Sequence, residues 1–364
     1  MDKKIPVTRS SMPDFDEYVN EIRGLWDSRW LSNRGAVHKE FEEKLKQYMQ
    51  VENVALFANG HVALEVVLQA MALSGEVITT PFTHISTSHA IIRNGLTPVF
   101  CDITPEDLTI DPSKIEALIT ENTCAIVATH VYGYLCHVHE IADIAKKYNL
   151  KVIYDGAHTF GETLDGIGVG SFGDATMFST HATKVFHTIE GGIVSFQDAS
   201  LAKTIDCITN FGFTGNDNIG YIGTNARMNE FEAAMGICNL RHLDEEINKR
   251  KLVVERYNEY LSDVKGIRIP AAQKGVSYNY AYYPVIIDGF KMDREELLAY
   301  LAEHDVIARR YFYPAVNAAE CYQGRFNIGN TPIAEFYAAR VLTLPLYADM
   351  VTEDVDRICR LILG

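Results

Sequence analysis

Features that mark membrane, secreted and disulfide-stapled proteins are scarce in this sequence of 364 residues. No stretch approaches the roughly 20 consecutive apolar residues that a membrane-spanning helix needs, and the N-terminus lacks the apolar core of a secretory signal. The seven cysteines are scattered singly and form no CxxC pair, which is typical of reduced thiols. We therefore expect a cytoplasmic protein without membrane contacts.

Positively charged residues and patterns of metal-binding residues are also scarce in the sequence. The chain has 33 lysines and arginines against 48 aspartates and glutamates, a net charge of -15, which disfavours binding to nucleic acids and to anionic membranes. His137 and His139 lie near His130 in the sequence, but no cysteine or carboxylate stands at a spacing typical of a metal site. We therefore expect neither a nucleic acid nor a metal ion as ligand.

Apolar strands and amphipathic helices alternate over the first part of the chain. This alternation is typical of a mostly parallel sheet that helices cover on both faces. The expected fold class is therefore α/β, with a large domain over residues 1–245. Its first predicted strands are 54–57, 77–80, 98–102, 124–130 and 151–155, and its predicted helices include 14–30, 37–49, 62–73, 84–94, 112–119 and 138–148.

The pattern changes towards the C-terminus. A helical stretch, 229–261, is amphipathic early and strongly charged later, and we expect it to bridge two domains. The sequence beyond Gly266 favours a small α+β domain, and we predict this domain over residues 246–364. Its predicted strands are 280–287 and 306–313, and its predicted helices are 294–304, 332–342 and 352–363.

One lysine, Lys184, lies in a small and polar turn between the predicted strands 175–178 and 193–196. Burial in such a turn disfavours the charged form of the side chain, and a neutral amine can attack a carbonyl. Most lysines are surface residues, however, and a lysine at a strand end usually reaches water. The functional interpretation of Lys184 therefore depends on what the other strand ends carry.

Three more strand ends carry polar groups, and ligands of parallel sheets bind at this edge. Asn59-Gly60-His61 joins a strand to a helix N-terminus, where free backbone N–H groups bind phosphate. Asp155 ends a strand and is suited to hold a proton on a ring nitrogen, while Ser179 offers a hydroxyl to a phosphate. Each signal alone also fits an ordinary turn or cap. Together with Lys184 they predict a site for pyridoxal 5'-phosphate (PLP).

Several segments also carry a family resemblance, namely Tyr154-Asp155-Gly156-Ala157-His158, Ser179 to Lys184, Glu190-Gly191-Gly192, Arg227 to Ala234 and His130-Val131-Tyr132-Gly133. In these segments, and over nearly its whole length, the chain resembles the sugar aminotransferases of the DegT/DnrJ/EryC1/StrS group. The resemblance implies a type I, aspartate-aminotransferase-like PLP fold. It also implies an enzyme that passes an amino group from L-glutamate, through pyridoxamine 5'-phosphate, to the keto carbon of a nucleotide-linked sugar.

The resemblance implies roles for individual residues. Lys184 is the Schiff-base lysine, Asp155 pairs with the pyridinium nitrogen and His158 lies beside the cofactor. The segment 223–228, and Asn225 in particular, is expected to reach the cofactor phosphate of a neighbouring subunit. A homodimer with shared active sites follows from that expectation.

Two positions depart from the group's usual pattern. Gly60, His61 and Ser179 are expected to line the phosphate, but a threonine is common where this chain has His61. An aromatic ring commonly stacks on the pyridine where this chain has His84. At His61 a backbone N–H still serves but one hydroxyl contact to the phosphate is lost, and at His84 a histidine ring can stack on the pyridine.

Other segments bear on the substrate. Ile5 to Thr8, Phe186 to Gly192 and Arg309 to Pro314 look most like those of enzymes that aminate C4 of dTDP-4-dehydro-6-deoxy-D-glucose to give dTDP-4-amino-4,6-dideoxy-D-glucose. That product implies a place in surface polysaccharide or O-antigen synthesis. Enzymes that aminate the 3-keto isomer look similar, and a PLP-dependent deoxysugar dehydratase is a further alternative.

Two arginines and two tyrosines are candidates for substrate binding. Arg309 and Arg310 are adjacent in a predicted strand, so their side chains are expected on opposite faces. At most one guanidinium then faces the cleft, where it would bind a diphosphate. Tyr311 and Tyr313 are expected to share a face and to line the sugar pocket, although packing within the small domain explains them equally well.

Overall fold

The computed structural model describes residues 4–322 and 324–364. Its helices are α1 Phe15–Ile22, α2 Gly24–Ser28, α3 Ala36–Met49, α4 Gly60–Ala70, α5 Ile85–Arg93, α6 Pro112–Ile115, α7 Val138–Tyr148, α8 Leu201–Thr209, α9 Glu230–Leu261, α10 Arg294–Glu303, α11 Pro332–Ala338 and α12 Thr352–Leu363. Its strands are β1 Val54–Phe57, β2 Glu76–Thr79, β3 Thr97–Phe100, β4 Thr123–Thr129, β5 Lys151–Asp155, β6 Thr163–Leu164, β7 Ile167–Gly168, β8 Ala175–Ser179, β9 Gly192–Phe196, β10 Ile267–Arg268, β11 Val276–Ser277, β12 Tyr283–Ile287 and β13 Val341–Leu344.

The large sheet has seven strands in the order β1-β9-β8-β5-β4-β2-β3. The run from β3 to β8 is parallel, and β9 is antiparallel to both of its neighbours. The register pairs Thr129 with Asp155 and Asp155 with Met177. The carboxyl ends of β4, β5 and β8 therefore lie side by side at one edge.

Both faces of this sheet are covered, because its strands alternate apolar side chains between them. Along β4, Ala125 and Val127 pack in a cluster with residues of α4, α5 and α8. Ile126 and Ala128 point to the other cluster, which includes residues of α7. A strand that is buried on both faces reads as a continuous apolar run, which is the pattern found in the sequence.

The long helix α9 links the sheet to the C-terminal part of the chain. It starts with a capping box in which Asn229 and Glu232 satisfy each other's backbone N–H groups. Its last turns contribute Tyr257 and Leu261 to a second core, which surrounds the antiparallel sheet β10-β12-β13. The predicted boundary between residues 245 and 246 falls inside this continuous helix and stays a prediction.

Three predicted elements differ most from the structure, while others differ only at their ends. The helix predicted over 14–30 is two helices that meet at Arg23. The helix predicted over 332–342 ends at Ala338, and the chain from Val341 forms strand β13, which pairs with β12. Residues 306–313 form only isolated bridges at Val306 and Arg309, because the chain turns at residues 311–312. No helix in the described residues is long and apolar enough to cross a membrane.

Candidate active site

A cleft of about 500 Å³ opens at the carboxyl edge of the large sheet. Nine of the predicted site residues line it: Gly60, His61, His84, Asp155, His158, Ser179, Lys184, Arg309 and Tyr311. Strand ends provide most of these side chains, because parallel strands and the turns that follow them converge at this edge. The cleft therefore brings together groups from β1, β5 and β8 and from the C-terminal part of the chain.

Lys184 sits in the turn between β8 and β9. Hydrogen bonds from Thr180 N–H to the Gly191 carbonyl and from Thr188 N–H to the Thr180 carbonyl, both 2.9 Å long, close this turn. The half-buried amine donates to the hydroxyl of Tyr282 at 3.3 Å. Lys184 forms no ion pair with a carboxylate among the described residues, so its amine is available for chemistry.

Asp155 is buried at the end of β5, with 3% of its surface exposed. One carboxylate oxygen accepts from the backbone N–H of Ala157 at 3.1 Å, and the other accepts from the Thr87 hydroxyl at 2.7 Å. Asp155 has no cationic partner among the residues that the structure describes. A buried carboxylate is stabilised by a positive charge, so this one fits a protonated ring nitrogen.

The N-terminus of α4 forms a cradle at the other end of the cleft. Asn59 caps the helix by accepting from the Val62 N–H at 2.9 Å, and the buried Gly60 begins it. A Cβ on Gly60 would lie 3.0 Å from the Ser179 Cβ and 3.1 Å from the Met177 Sδ. Glycine therefore lets α4 begin directly against β8, and the free backbone N–H groups and the dipole of a helix N-terminus favour an anion.

Two histidines in the cleft are neutral at physiological pH. Burial lowers the pKa of His84. The negative charge of Asp155 raises this pKa, and the positive charge of Lys184 lowers it. Burial also lowers the pKa of His158 far below its usual value. His84 accepts from the Ser86 N–H at 3.2 Å and His158 accepts from the Tyr132 N–H at 3.0 Å, so hydrogen bonds to the backbone orient both rings.

A family sequence profile, the DegT/DnrJ/EryC1/StrS aminotransferase family, matches residues 14–363. The chain belongs to this aminotransferase family. A dTDP-4-amino-4,6-dideoxy-D-glucose transaminase of Escherichia coli is 40% identical over 100% of this chain and 99% of its own length. A GDP-perosamine synthase of Escherichia coli O157:H7 is 33% identical over 98% of this chain and 97% of its own length.

The crystal structure of DesI, determined in the presence of its TDP-sugar product, superposes with a TM-score of 0.94. That protein is 34% identical, and the match covers 99% of this chain and 92% of DesI. The family resemblance and the predicted sugar-aminotransferase fold are therefore confirmed. The roles of single residues are not tested by these comparisons and stay predictions.

In this aminotransferase the two candidate arginines lie in different environments. Arg309 lines the cleft, with its guanidinium carbon 4.5 Å from the centroid of the Tyr311 ring, and it has no carboxylate partner among the described residues. Arg310 points away and lies 3.4 Å from the exposed carboxylate of Glu295. The expectation that only one of the pair faces the cleft therefore agrees with the structure.

The two candidate tyrosines do not share a face, contrary to the prediction. Tyr311 is 6% exposed and lines the cleft, whereas Tyr313 is 48% exposed and stacks against Arg294. The prediction assumed an extended strand, but the backbone turns at residues 311–312. Tyr313 therefore lies outside the cleft of its own chain.

Asn225 also lies outside the cleft. Its side-chain oxygen accepts from the guanidinium of Arg227 at 3.0 Å, on a surface where Phe211 and Ile222 are 46% and 90% exposed. Its predicted contact with a neighbouring subunit's cofactor stays a prediction.

Sequence reasoning missed Thr87 and Tyr282, which contact Asp155 and Lys184 directly. Thr87 is one of several hydroxyl residues on α5, and Tyr282 stands among three other tyrosines from Tyr278 to Tyr283. Neither spacing nor residue type distinguishes them from their neighbours. Among residues 4–322 and 324–364, no group of three or more His, Cys, Asp or Glu residues is placed to hold a metal ion.

Proposed function

We propose that this aminotransferase uses PLP to transfer the amino group of L-glutamate to C4 of dTDP-4-dehydro-6-deoxy-D-glucose. The observation that carries the proposal is that one cleft holds an amine and a carboxylate, neither of which forms an ion pair among the described residues. The Lys184 amine has no acidic partner, and the buried Asp155 carboxylate has no cationic one, among the described residues. PLP carries an aldehyde for the amine and a ring nitrogen for the carboxylate.

The other residues of the cleft fit the rest of the cofactor. The open N-terminus of α4 at Gly60, with Ser179 beside it, suits a phosphate. His61 takes the place where threonine is common, and its ring is held by Ser86 at 2.7 Å and Glu65 at 3.1 Å. When bound, PLP supplies an electron-withdrawing ring and carries the amino group between the two substrates.

The chain's own groups then have separate tasks. Asp155 keeps a proton on the ring nitrogen, because a buried anion favours the cationic partner. The Lys184 amine moves the proton at the reacting carbon as a general base and acid. His84 and His158 are uncharged, and they exclude water without competing for the ring's charge.

The acceptor is proposed from two observations. The transaminase that is 40% identical over the full length forms dTDP-4-amino-4,6-dideoxy-D-glucose. Arg309 lines the cleft without a carboxylate partner among the described residues, and a guanidinium binds a diphosphate through two parallel hydrogen bonds. We place the diphosphate of the nucleotide sugar against Arg309.

We further propose a homodimer in which the surface around Asn225 faces the partner's cleft. The exposed Ile222 and Phe211 make this surface apolar, and polar side chains of Asn225 and Arg227 rim it. Apolar patches rimmed by polar groups are typical of protein interfaces. Sedimentation at micromolar concentration gives a dimer if the proposal holds and a monomer if it fails.

The visible absorption spectrum of the purified protein, before and after addition of glutamate, tests the cofactor and the donor together. A yellow band that bleaches with glutamate is expected. Lys184→Ala should abolish turnover, and normal turnover in that variant would contradict the proposal. Adding the 4-keto sugar to the bleached enzyme should restore the band and form a 4-amino product.

Product analysis separates the alternative reactions. A 3-keto isomer that restores the band faster than the 4-keto sugar would favour amination at C3. Loss of water from the sugar without incorporation of nitrogen would identify a dehydratase. A control with 2-oxoglutarate added to the bleached enzyme checks that the donor half-reaction is reversible.

A further inference from the structure

A row of four polar side chains leads from Lys184 into the protein. The Lys184 amine lies 3.3 Å from the Tyr282 hydroxyl, and the centroid of the Tyr282 ring lies 5.3 Å from that of Tyr311. The Tyr311 hydroxyl lies 3.3 Å from His158 Nε2. These residues belong to four separate segments of the chain, so only the tertiary fold brings them into one row.

The direction of the hydrogen bonds is set at the His158 end. His158 Nδ1 accepts from the Tyr132 N–H, and burial lowers the pKa of His158 far below its usual value. The neutral ring must therefore carry its proton on Nε2 and donate it to the Tyr311 hydroxyl. Burial raises the pKa of Tyr311 well above its usual value, so Tyr311 keeps its proton.

Tyr282 is then the member of the row whose hydroxyl can either donate a hydrogen bond to Lys184 or accept one from it. A hydroxyl has one hydrogen to donate and two lone pairs that accept. The Tyr282 hydroxyl has a lone pair for a charged Lys184 amine and a hydrogen for a neutral one. Both protonation states of the amine are therefore held by the same oxygen atom.

The ring of Tyr282 is fixed by its neighbours. Its centroid lies 4.6 Å from the ring of His158, 5.3 Å from that of Tyr311 and 5.9 Å from that of Tyr132. The Lys184 Nζ also lies 5.7 Å from the Tyr282 centroid. Removing only the hydroxyl should leave this packing in place.

We propose that Tyr282 is a catalytic residue that holds the Lys184 amine in both protonation states while the amine moves protons, and that Tyr311 and His158 are positioning residues for Tyr282. The proposal rests on the proposed function, because it takes Lys184 as the reactive amine. It adds the Tyr282 hydroxyl to the groups that take part in the reaction, and Tyr282 lies 98 positions from Lys184 in the sequence.

The test compares Tyr282→Phe with Tyr280→Phe. Tyr280 is two positions away and lies outside the cleft, so its variant controls for loss of a tyrosine hydroxyl from the same segment. Apoenzyme is mixed with PLP, and the rate at which Lys184 captures it is followed by absorbance across a range of pH. Borohydride trapping and mass spectrometry then identify the labelled residue.

We expect Tyr282→Phe to capture PLP with a pH profile displaced to lower pH, because the charged amine loses a stronger hydrogen bond than the neutral amine does. Its kcat should fall about 100-fold, a usual effect of losing a group that assists proton transfer, while KM for either substrate changes less than about two-fold. Tyr280→Phe should match the wild type. Thermal unfolding checks that both variants are folded.

Each result decides between the proposals. Label on Lys184 together with a wild-type rate, pH profile and kcat in Tyr282→Phe overturns the role of Tyr282 and leaves the proposed function intact. No label on Lys184 in the wild type overturns the proposed function itself. If Tyr282→Phe does not fold, Tyr311→Phe takes its place, and a loss of about ten-fold in kcat with the same displaced pH profile supports the row; an unchanged profile there contradicts it.

Discussion

Two cavities of similar size lie next to each other in this molecule, and only one has the groups for catalysis. The cleft measures about 500 Å³. A second cavity, here called the tyrosine cavity, measures about 540 Å³ and is lined mainly by Tyr132, Tyr134, Tyr278, Tyr280, Tyr282 and Tyr283, with Arg268 and Val254. Tyr282 lines both.

The two cavities differ in which of their charged groups lack an ion pair. In the tyrosine cavity, the Tyr134 hydroxyl donates to the Pro270 carbonyl at 2.8 Å and the Tyr283 hydroxyl donates to Asn258 at 2.8 Å. In the cleft, Lys184, Asp155 and Arg309 form no ion pair among the described residues. Arg268 of the tyrosine cavity also lacks an ion pair among the described residues, but it is a cation without an unpaired carboxylate in the same lining, and its guanidinium packs over the Tyr337 ring at 4.8 Å. An amine and a buried carboxylate that both lack ion pairs, rather than volume, therefore mark the active site.

The largest expected effect comes from removing the charge of Asp155. Asp155→Asn keeps the shape of the side chain but cannot hold a ring nitrogen in its protonated form, so kcat should fall by about 100- to 1,000-fold, as when one preorganised electrostatic contact is lost. Steady-state kinetics with glutamate and the keto sugar measures this. The matched control is Asp102→Asn at the end of β3, where the carboxylate accepts backbone N–H groups of Ile333 and Ala334.

The control variant should lose stability but keep the kcat of the folded enzyme. Equal losses of kcat in Asp155→Asn and Asp102→Asn would mean that Asp155 acts by stabilising the edge of the sheet. The charge of Asp155 would then no longer distinguish the cleft from the tyrosine cavity.

The next effect concerns substrate binding. Arg309→Ala removes the one arginine that lines the cleft, so KM for the nucleotide sugar should rise about 10- to 100-fold, the equivalent of a charge-assisted hydrogen bond of about 1.5–3 kcal/mol. Arg310→Ala is the control, because its exposed pairing with Glu295 is worth about 0–1 kcal/mol. A larger KM effect at Arg310 would show that the cleft seen in one chain is not where the diphosphate binds.

Much of this site could be predicted from sequence because its groups follow strands. Gly60, Asp155 and Lys184 each stand directly after or near a continuous apolar run, and parallel strands bring their ends to one edge. Tyr282 and Thr87 could not be predicted, because their contacts join residues 98 and 68 positions apart. Such contacts depend on how separate elements pack rather than on any local pattern.

The errors have a similar cause. The interpretation of residues 306–313 as a strand fixed the predicted faces of Tyr311 and Tyr313, and the turn at residues 311–312 invalidated that geometry. The expectation that Arg309 and Arg310 point to opposite faces, which left open which of them faces the cleft, relied on extended backbone, and at Arg309 the backbone does bridge to Thr343, with hydrogen bonds of 3.1 and 2.8 Å in the two directions. The predicted extended backbone is therefore found at Arg309, but it ends before the turn at residues 311–312.

A smaller effect is expected beside the tyrosine cavity, at the buried Glu162. One carboxyl oxygen accepts the Asn279 N–H at 3.1 Å, while the other, and the Asn279 side-chain oxygen, have no partner among the described residues. Burial raises the pKa of Glu162 well above its ordinary value of 4.5. The folded protein therefore holds this proton more tightly than the unfolded chain does.

Stability from Glu162 is consequently present below about pH 4.3, the usual pKa of an unfolded glutamate, and is lost as the pH rises towards the higher pKa of the folded state. Glu162→Gln removes this loss and supplies an N–H donor near Asn279. The variant should be more stable than the wild type at pH 8, with a smaller gain at pH 5. Urea unfolding at both pH values measures it, with the surface variant Glu140→Gln as control; a gain that does not depend on pH would contradict the buried proton.

The smallest effect should come from filling the tyrosine cavity. Val254→Phe adds an aromatic ring from α9 to its lining, yet kcat/KM should stay within about two-fold of the wild type, because no group that contacts the reacting atoms is removed. Val254→Ile, which adds a single methylene, controls for the helix position. Tyr282 makes this a demanding test, since its ring separates the two cavities while its hydroxyl faces Lys184. A ring at position 254 that pushed Tyr282 towards the cleft would lower kcat and leave KM unchanged, and the two cavities would then have to be treated as one functional unit.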